Sequence, residues 1–144
     1  EETEKVLKDG WLYSGDIGHF ENGYLKITDR KKDIIITPGG DNISPVRIEN
    51  DLIKVSFIEQ ALVFGDNKPY LVALLVLNNK ILKYETVYEE IQKINKNLTK
   101  IEKIKKFFVI NEQFTIENGL MTPTLKLKRY KIIQKYKNEI EKLY

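Results

Sequence analysis

The chain contains no cysteine and a single histidine, His19, among its 144 residues. The absence of cysteine excludes a disulfide framework, a thiolate metal site and a cysteine nucleophile. One histidine excludes any protein site built from several histidines. No apolar run approaches the roughly 20 residues needed to span a bilayer, and no signal peptide opens the chain. These absences favour a reducing, intracellular setting in the cytoplasm.

The composition is that of a soluble globular protein. Hydrophobic residues make up 42% of the chain and charged residues 31%, which is enough apolar surface for a real core. The net charge is +3, with lysine far outnumbering arginine. This mild excess favours anionic ligands but does not by itself indicate nucleic acid.

Short β-type runs dominate the first half of the chain. Asn22-Gly23, between Phe20 and residues 24–27, predicts a tight hairpin, because this dipeptide tolerates positive φ angles. Residues 33–37 form a β-branched run that predicts a buried strand, and it ends at a turn signal, Pro38-Gly39-Gly40.

Helical patterns dominate residues 80–106 and 129–144, and one short helix is predicted earlier. Ser44 before Pro45 predicts the start of a short helix that runs to about residue 54. Apolar residues at helical spacing predict helices within 81–106 and a terminal helix over 132–143. Strands are predicted at 58–64, 71–77 and 107–110. Strands mixed with helices in this way indicate an α+β fold.

The segment from Phe114 to Arg129 fits neither pattern. Pro123 disfavours helix at Thr122, so Lys126 and Lys128 are expected on an ordered loop that leads into the terminal helix. An exposed lysine on such a loop can reach a phosphate as a flexible point charge. Composition alone favours the plainer alternative, a solvated basic start of the helix.

Three blocks of sequence, in order, resemble the AMP-forming acyl-CoA synthetase and luciferase superfamily. The first reads DGWLYSGDIG from Asp9 and continues as GYLKITDRKKD from Gly23. The second reads TPGGDNISP from Thr37 and ends in Ile48-Glu49. The third reads MTPTLKLKR from Met121. The run over residues 10–32 resembles the long-chain fatty acyl-CoA synthetases in particular.

This resemblance implies a domain organisation. Residues 1–31 would be a β-hairpin segment from the end of a large N-terminal adenylate-forming domain. Residues 32–144 would be a small mobile C-terminal lid domain, a mixed sheet flanked by helices. Lys32 would be the hinge about which the lid rotates between an adenylate-forming and a thioester-forming orientation.

The resemblance also implies roles for individual residues. Asp16 and Arg30 would bind the ribose of ATP and of the acyl-adenylate; the plainer alternatives are a turn aspartate and a surface ion pair of Arg30 with Asp29 or Asp33. Gly39 and Gly40 would line the tunnel for the pantetheine arm of coenzyme A, although an ordinary turn would also explain them.

Lys126 matches the lysine that contacts the attacking carboxylate and the α-phosphate. Glycine usually precedes this lysine, but Leu125 stands here, so Lys128 stays open as the competing candidate.

The resemblance implies a long-chain fatty acid–CoA ligase that uses ATP, Mg²⁺ and coenzyme A and releases AMP and pyrophosphate. The phosphate-binding loop, the Mg²⁺ ligand and the fatty-acid pocket would lie in the large domain, so this chain alone should be inactive and holds no expected metal ligands. The full-length enzyme would associate with membranes, if at all, through another segment.

Two alternatives stay open. One is another adenylating enzyme: an aryl-CoA ligase, a luciferase or a peptide-synthetase adenylation domain. The other is a basic module that binds nucleic acid or an anionic membrane, although Glu139 and Glu141 interrupt the lysines of the terminal helix and no aromatic stacking platform is evident.

Overall fold

The computed structural model describes residues 2–78 and 82–144. The chain divides into two compact units, Glu1–Ile34 and Ile35–Tyr144. The predicted boundary between residues 31 and 32 separates a lid from a large domain of which residues 1–31 would be only the end, so it stays a prediction.

The first unit is a short helix followed by two antiparallel strand pairs. Its elements are α1 (Glu2–Val6), β1 (Leu7–Lys8), β2 (Trp11–Leu12), β3 (Asp16–Glu21) and β4 (Tyr24–Arg30). Strand β1 pairs with β2, and β3 pairs with β4. A 3₁₀ turn over Lys31–Asp33 follows β4.

The predicted hairpin is confirmed at β3–β4. Asn22 and Gly23 connect the strands with φ angles of 51° and 83°, as a two-residue hairpin turn requires. Phe20 and Tyr24 beside the turn are 77% and 80% exposed. A two-stranded hairpin with so little buried side chain is marginal by itself in water.

The second unit is a three-stranded sheet with helices on both faces. Its elements are β5 (Ile35–Ile36), β6 (Asn42–Ile43), α2 (Pro45–Leu52), β7 (Ile58–Phe64), β8 (Leu71–Leu77), α3 (Tyr84–Asn95), β9 (Ile104–Ile110), α4 (Arg129–Lys135) and α5 (Lys137–Glu141). The strand order is β7-β8-β9, with β7 antiparallel and β9 parallel to β8. The predicted strands 58–64 and 71–77 are confirmed at their predicted bounds.

The central strand β8 separates two hydrophobic cores. All seven of its residues are buried, because each face of the sheet is covered. Ala73 and Leu75 face Ile48 of α2 and Ile91 of α3. Alternate residues of the strand join a second cluster with Phe114, Ile132 and Ile140.

Helix α2 begins as predicted. Ser44 Oγ accepts a hydrogen bond from the Arg47 backbone N–H at 3.4 Å, and Pro45 occupies the first turn. The helix ends at Leu52, slightly before the predicted residue 54.

Strand β5 is shorter than the predicted strand over 33–37. Asp33 lies in the 3₁₀ turn, and Thr37 turns away from pairing to close a loop with Asp41. The Thr37 N–H donates to the Asp41 carbonyl at 2.9 Å, and the Asp41 N–H donates to Thr37 Oγ1 at 3.0 Å. Only Ile35 and Ile36 therefore pair with β6.

The helical prediction over 81–106 is wrong beyond Asn95. The buried Asn95 amide bonds both backbone groups of Ile104, at 2.9 Å each, and Ile104 opens β9. Apolar spacing alone cannot distinguish this return strand from a further helical turn. Ile81, at the start of the predicted range, lies outside the described residues.

The connection between α3 and β9 is fastened to α2 through Glu102. The Thr99 N–H and hydroxyl donate to Glu102 Oε2 at 3.1 and 2.9 Å, and Arg47 forms an ion pair with the same carboxylate. Burial acts to raise the pKa of Glu102, but the hydrogen bonds from Thr99 and Arg47 outweigh it and hold the pKa below its ordinary value.

The terminal helix is two helices rather than the predicted one. Tyr136, with φ −102° and ψ 24°, separates α4 from α5. Its hydroxyl donates to Glu112 Oε1 at 2.7 Å, and its ring packs edge-on against Phe114. These contacts fix the Tyr136 side chain at the point where the two helices meet.

Candidate active site

Asp16 and Arg30 are brought together by the register of the first unit. They are directly opposite each other at the open end of the β3–β4 hairpin. Arg30 Nε lies 3.7 Å from Asp16 Oδ1, and the Asp16 N–H donates to Ser14 Oγ at 3.2 Å. Arg30 thus forms an ion pair with Asp16, whereas the predicted alternative named Asp29 or Asp33 as its partner.

A hollow of about 360 Å³ opens beside this pair. It is lined by Ser14, Gly15, Arg30, Lys31 and Lys32. The Lys31 N–H donates to the Gly15 carbonyl at 2.7 Å, which ties the start of the 3₁₀ turn to the loop before Asp16. Three cationic residues around one hollow favour an anionic ligand.

The predicted lysine loop of the second unit is ordered by its own hydrogen bonds. We use the term lysine loop for residues 115–128. Thr122 accepts from the Leu125 N–H at 2.9 Å and donates its own N–H to the Lys126 carbonyl at 2.8 Å. Met121 and Leu127 form a β-bridge. The loop tip is thus a small hairpin with three residues between Thr122 and Lys126.

Leu125 occupies the left-handed position of this hairpin. Its φ is 60°, a conformation that glycine adopts freely and that strains a residue with a Cβ atom. In three-residue hairpin loops this position usually carries glycine. The geometry explains physically why glycine is expected before the lysine, and Leu125 adopts the same backbone shape.

Lys126 is the first residue after the hairpin tip, and its side chain is exposed. Its N–H donates to Thr122 Oγ1 at 3.0 Å, which fixes its backbone. Within residues 2–78 and 82–144, no hydrogen-bond or ion-pair partner is found for its ammonium group. The loop therefore presents a positively charged group on a fixed backbone.

Lys128 is placed differently. It is half-buried, its N–H donates to the Leu120 carbonyl at 2.8 Å, and it directly precedes α4. The neighbouring Arg129 is held in a nearly buried ion pair with Glu49 at 2.8 Å. Of the three basic residues over 126–129, Lys126 presents the most accessible charge.

Gly39 and Gly40 form the tip of the turn between β5 and β6. The Gly40 N–H donates to the Thr37 carbonyl at 2.9 Å, and its φ of 86° lies in the region that strongly favours glycine. A Cβ atom at Gly39 would lie 3.4 Å from Asp41 Oδ2, which is ordinary contact. Only Gly40 is therefore explained by the turn itself.

The described residues contain no group of three histidine, cysteine, aspartate or glutamate side chains that could hold a metal ion. None of the helices in this part of the chain combines the length and apolarity needed to cross a membrane.

Residues 32–144 match the family model of the AMP-binding enzyme C-terminal domain. The chain belongs to this family. It is 38% identical to mouse long-chain-fatty-acid–CoA ligase 5 over 171 aligned positions, which cover all of this chain and 25% of the mouse protein. It is 31% identical to long-chain-fatty-acid–CoA ligase FadD15 of Mycobacterium tuberculosis, covering 99% of this chain and 28% of that protein.

Solved structures of adenylating enzymes have the same fold. The adenylation domain of a carboxylate reductase from Mycobacterium chelonae superposes with a TM-score of 0.89 at 25% identity, over 99% of this chain and 24% of that one. O-succinylbenzoate coenzyme A synthetase from Bacillus subtilis, in complex with AMP, gives 0.66 at 31% identity, over 88% and 25%. The chain therefore spans about a quarter of the length of the curated relatives that it matches.

Two sets of residues in this family member could not be identified from the sequence one residue at a time. Ser14, Gly15 and Lys31 line the hollow beside Asp16, and adjacency to the motif is the one signal that points to them. The Glu49–Arg129 pair joins residues 80 positions apart, and no local pattern reveals such a pairing.

Proposed function

We propose that this chain is the C-terminal part of a long-chain fatty acid–CoA ligase. The observation that carries the proposal is 31–38% identity, over nearly the whole chain, to relatives that are named as such ligases. The chain would contribute a nucleotide-binding hairpin and a lid domain to a larger enzyme.

The proposed reaction has two half-reactions. In the first, a fatty acid carboxylate oxygen attacks the α-phosphorus of ATP; a P–O bond forms and pyrophosphate leaves. In the second, the thiol of coenzyme A loses its proton and attacks the acyl carbonyl; a C–S bond forms, the C–O bond to AMP breaks, and AMP leaves. The first half-reaction brings the carboxylate anion to an already anionic phosphate.

Asp16 and Arg30 would hold the ribose. An ionised carboxylate can accept hydrogen bonds from two hydroxyl groups, and Arg30 would contact the sugar from the facing strand. Their separation of 3.7 Å supports this joint role, because both side chains point to one side of the hairpin end. The adjacent cationic hollow would suit the phosphates.

Lys126 would neutralise charge in the first half-reaction. The carboxylate and the α-phosphate repel each other, and the transition state crowds their charges further. A lysine that is exposed, unpaired among the described residues and fixed at its backbone suits this task. Loss of a single electrostatic donor of this kind typically costs about 10²–10³ in rate.

Lys32 would be the hinge between a large domain ending at residue 31 and a lid over 32–144. Its place in a short 3₁₀ turn near the division between the compact units supports this role, since a hinge needs few residues that change φ and ψ. Gly39 and Gly40 would border the pantetheine arm, where missing side chains leave room beside the backbone.

The remaining parts would lie outside this chain. Mg²⁺ would be held by ligands of the large domain, where it would offset the charge of the ATP phosphates. The phosphate-binding loop and the fatty-acid pocket would also lie there. The 144-residue chain mixed with ATP, Mg²⁺, coenzyme A and palmitate should therefore form no acyl-CoA, and clear turnover would contradict this point.

The deciding experiment separates the half-reactions in the full-length enzyme. Palmitate-dependent exchange of pyrophosphate into ATP measures adenylation, and coenzyme A added to supplied palmitoyl-adenylate measures thioester formation. Lys126→Ala should lower adenylation by about 10²–10³ and spare thioester formation. Lys128→Ala is the matched control and should leave both rates close to wild type. If Lys126→Ala spares adenylation, the assignment is wrong.

A second variant tests the hinge. Lys32→Pro should retain adenylation and lose thioester formation, because proline fixes φ at the proposed pivot. Full acyl-CoA synthesis by this variant would reject Lys32 as the hinge.

One observation favours a second candidate function. The B. subtilis neighbour, at 31% identity, is named for an aromatic acid rather than a fatty acid. An aryl-CoA ligase would use the same chain in the same way. Pyrophosphate exchange with palmitate, octanoate and benzoate distinguishes the two, and exchange with benzoate alone would favour the aryl-CoA ligase.

A further inference from the structure

Glu49 and Arg129 form a two-point ion pair inside the second unit. Arg129 Nη2 donates to Glu49 Oε2 at 2.8 Å, and Arg129 Nη1 lies 2.8 Å from Glu49 Oε1. Only 11% of the Glu49 side chain and 15% of the Arg129 side chain are exposed. A guanidinium and a carboxylate that meet at two points have a fixed mutual orientation, which one lysine could not provide.

The pair is bonded to the backbone of one residue in the sheet. Glu49 Oε1 accepts from the Val63 N–H at 2.8 Å, and Arg129 Nη1 donates to the Val63 carbonyl at 3.0 Å. Val63 lies in β7, which is at one edge of the three-stranded sheet. The two side chains therefore satisfy both peptide groups of Val63, as a neighbouring strand would.

The two residues that flank the lysine loop, Phe114 and Arg129, are both bonded to β7. At its beginning, the Gln60 side chain bonds both backbone groups of Phe114, at 2.7 and 2.9 Å. At its end, Arg129 is the first residue of α4 and follows Lys126 by three positions. The Lys128 N–H bond to the Leu120 carbonyl closes the loop between these two attachments.

We propose that Glu49 and Arg129 are positioning residues that set the location of Lys126 by fixing the end of the lysine loop on the edge strand β7. The proposal rests on the role of Lys126 in adenylation given above. Neither residue would touch substrate. They would act through the three-residue path from Arg129 to Lys126, and only the half-reaction that uses Lys126 should depend on them.

The test compares half-reactions in the full-length enzyme carrying Glu49→Gln or Arg129→Lys. Adenylation should fall by roughly 10- to 100-fold, because a displacement of about 1 Å of a positioned group can cost this much. Thioester formation from supplied palmitoyl-adenylate should stay within about twofold of wild type. Adding either substitution to Lys126→Ala should cause no further loss of adenylation, since no cation is left to position.

Arg47→Gln is the matched control. Arg47 also lies on α2 and forms an ion pair, with Glu102. Among the described residues, its side chain makes no hydrogen bond or ion pair with the lysine loop. Both half-reactions should survive this change.

The outcomes separate the two proposals. Equal losses in both half-reactions, together with a lower thermal midpoint, would indicate a purely structural pair and overturn this inference; so would unchanged adenylation. If Glu49→Gln prevents folding, Arg129→Lys keeps the positive charge and must still show the selective loss. If Lys126→Ala itself spares adenylation, the proposed function of the loop fails, and the positioning role fails with it.

Discussion

Replacing Leu125 tests whether the tip of the lysine loop has the backbone shape described above. Leu125 has a φ of 60° and is 70% exposed, so the backbone conformation dominates its contribution to stability. We expect Leu125→Gly to be more stable than Leu125→Ala. Both variants lose the same side-chain atoms beyond Cβ. The difference in their free energies of unfolding therefore reports the cost of holding a residue with a Cβ atom in the left-handed conformation.

The magnitude follows from two opposing effects. A residue with a Cβ atom in the left-handed region costs about 1–2 kcal/mol, which glycine avoids. Glycine in turn loses more chain entropy on folding, by about 0.5–1 kcal/mol. The free energy of unfolding of Leu125→Gly should therefore exceed that of Leu125→Ala by about 0.5–1 kcal/mol. For a unit of this size the thermal midpoints should differ by roughly 2–5 °C.

Far-UV circular dichroism of the 144-residue chain is the appropriate assay, because α2 to α5 all belong to the second unit. Thermal and urea unfolding should agree on the order of the two variants. A matched control is available at Tyr130, which is 76% exposed in the first turn of α4. There the order should invert, because glycine is the poorer residue in a helix.

Equal stability of the two Leu125 variants, or greater stability of the alanine variant, would refute the reasoning. Either result would mean that residue 125 does not hold a positive φ in solution. If glycine were favoured at Tyr130 as well, the difference at Leu125 would have a cause other than φ.

Two further predictions concern the second unit. Asn95→Ala should lower the free energy of unfolding by about 2–4 kcal/mol in urea titrations, because it leaves both backbone groups of the buried Ile104 unpaired; the exposed Asn97→Ala should change it by less than about 0.5 kcal/mol. Because the pKa of Glu102 is lowered on folding, its contribution is present above its ordinary value of 4.5 and is lost as the pH falls through the folded-state pKa. Glu102→Gln should remove on the order of 1 kcal/mol of stability at pH 7 and progressively less as the pH falls below 4.5 through the folded-state pKa, and a loss that does not change with pH would contradict the linkage.

Local signals in the sequence predicted local structure well. Asn22-Gly23 specified its hairpin, because few dipeptides accept two consecutive positive φ angles. Ser44 before Pro45 located the start of α2 to the residue. The bounds of β7 and β8 followed from two apolar runs enclosed by polar turn residues.

The errors have a common physical origin. The helix prediction over 81–106 is confirmed by α3 but is wrong beyond Asn95, whose side chain bonds the backbone of Ile104 at the start of β9, a contact that apolar spacing does not encode. The terminal helix divides at Tyr136, whose hydroxyl bonds Glu112, a residue 24 positions earlier in the chain. In both cases the departure from the predicted helix coincides with side-chain hydrogen bonds that apolar spacing does not encode.

The candidate site was predicted only in part, for a related reason. The motifs indicated Asp16, Arg30 and Lys126 one at a time, and the structure pairs the first two across the hairpin register. The exposure of Lys126 depends on the hairpin at the loop tip. The positive φ of Leu125 could not be read from a residue that normally avoids it.

The basic run over residues 126–129 shows why chemistry must be assigned by contact rather than by composition. Arg129 uses both terminal nitrogens internally, on Glu49 and on the Val63 carbonyl, so its charge is not available to a ligand. Lys126 has a fixed backbone and an exposed ammonium group. A cation that must approach two anions has to be free of acidic partners, yet it must also be held in place. In the proposed adenylation role of Lys126, the Glu49–Arg129 ion pair three residues away would meet both conditions, because it would fix the chain without neutralising the lysine.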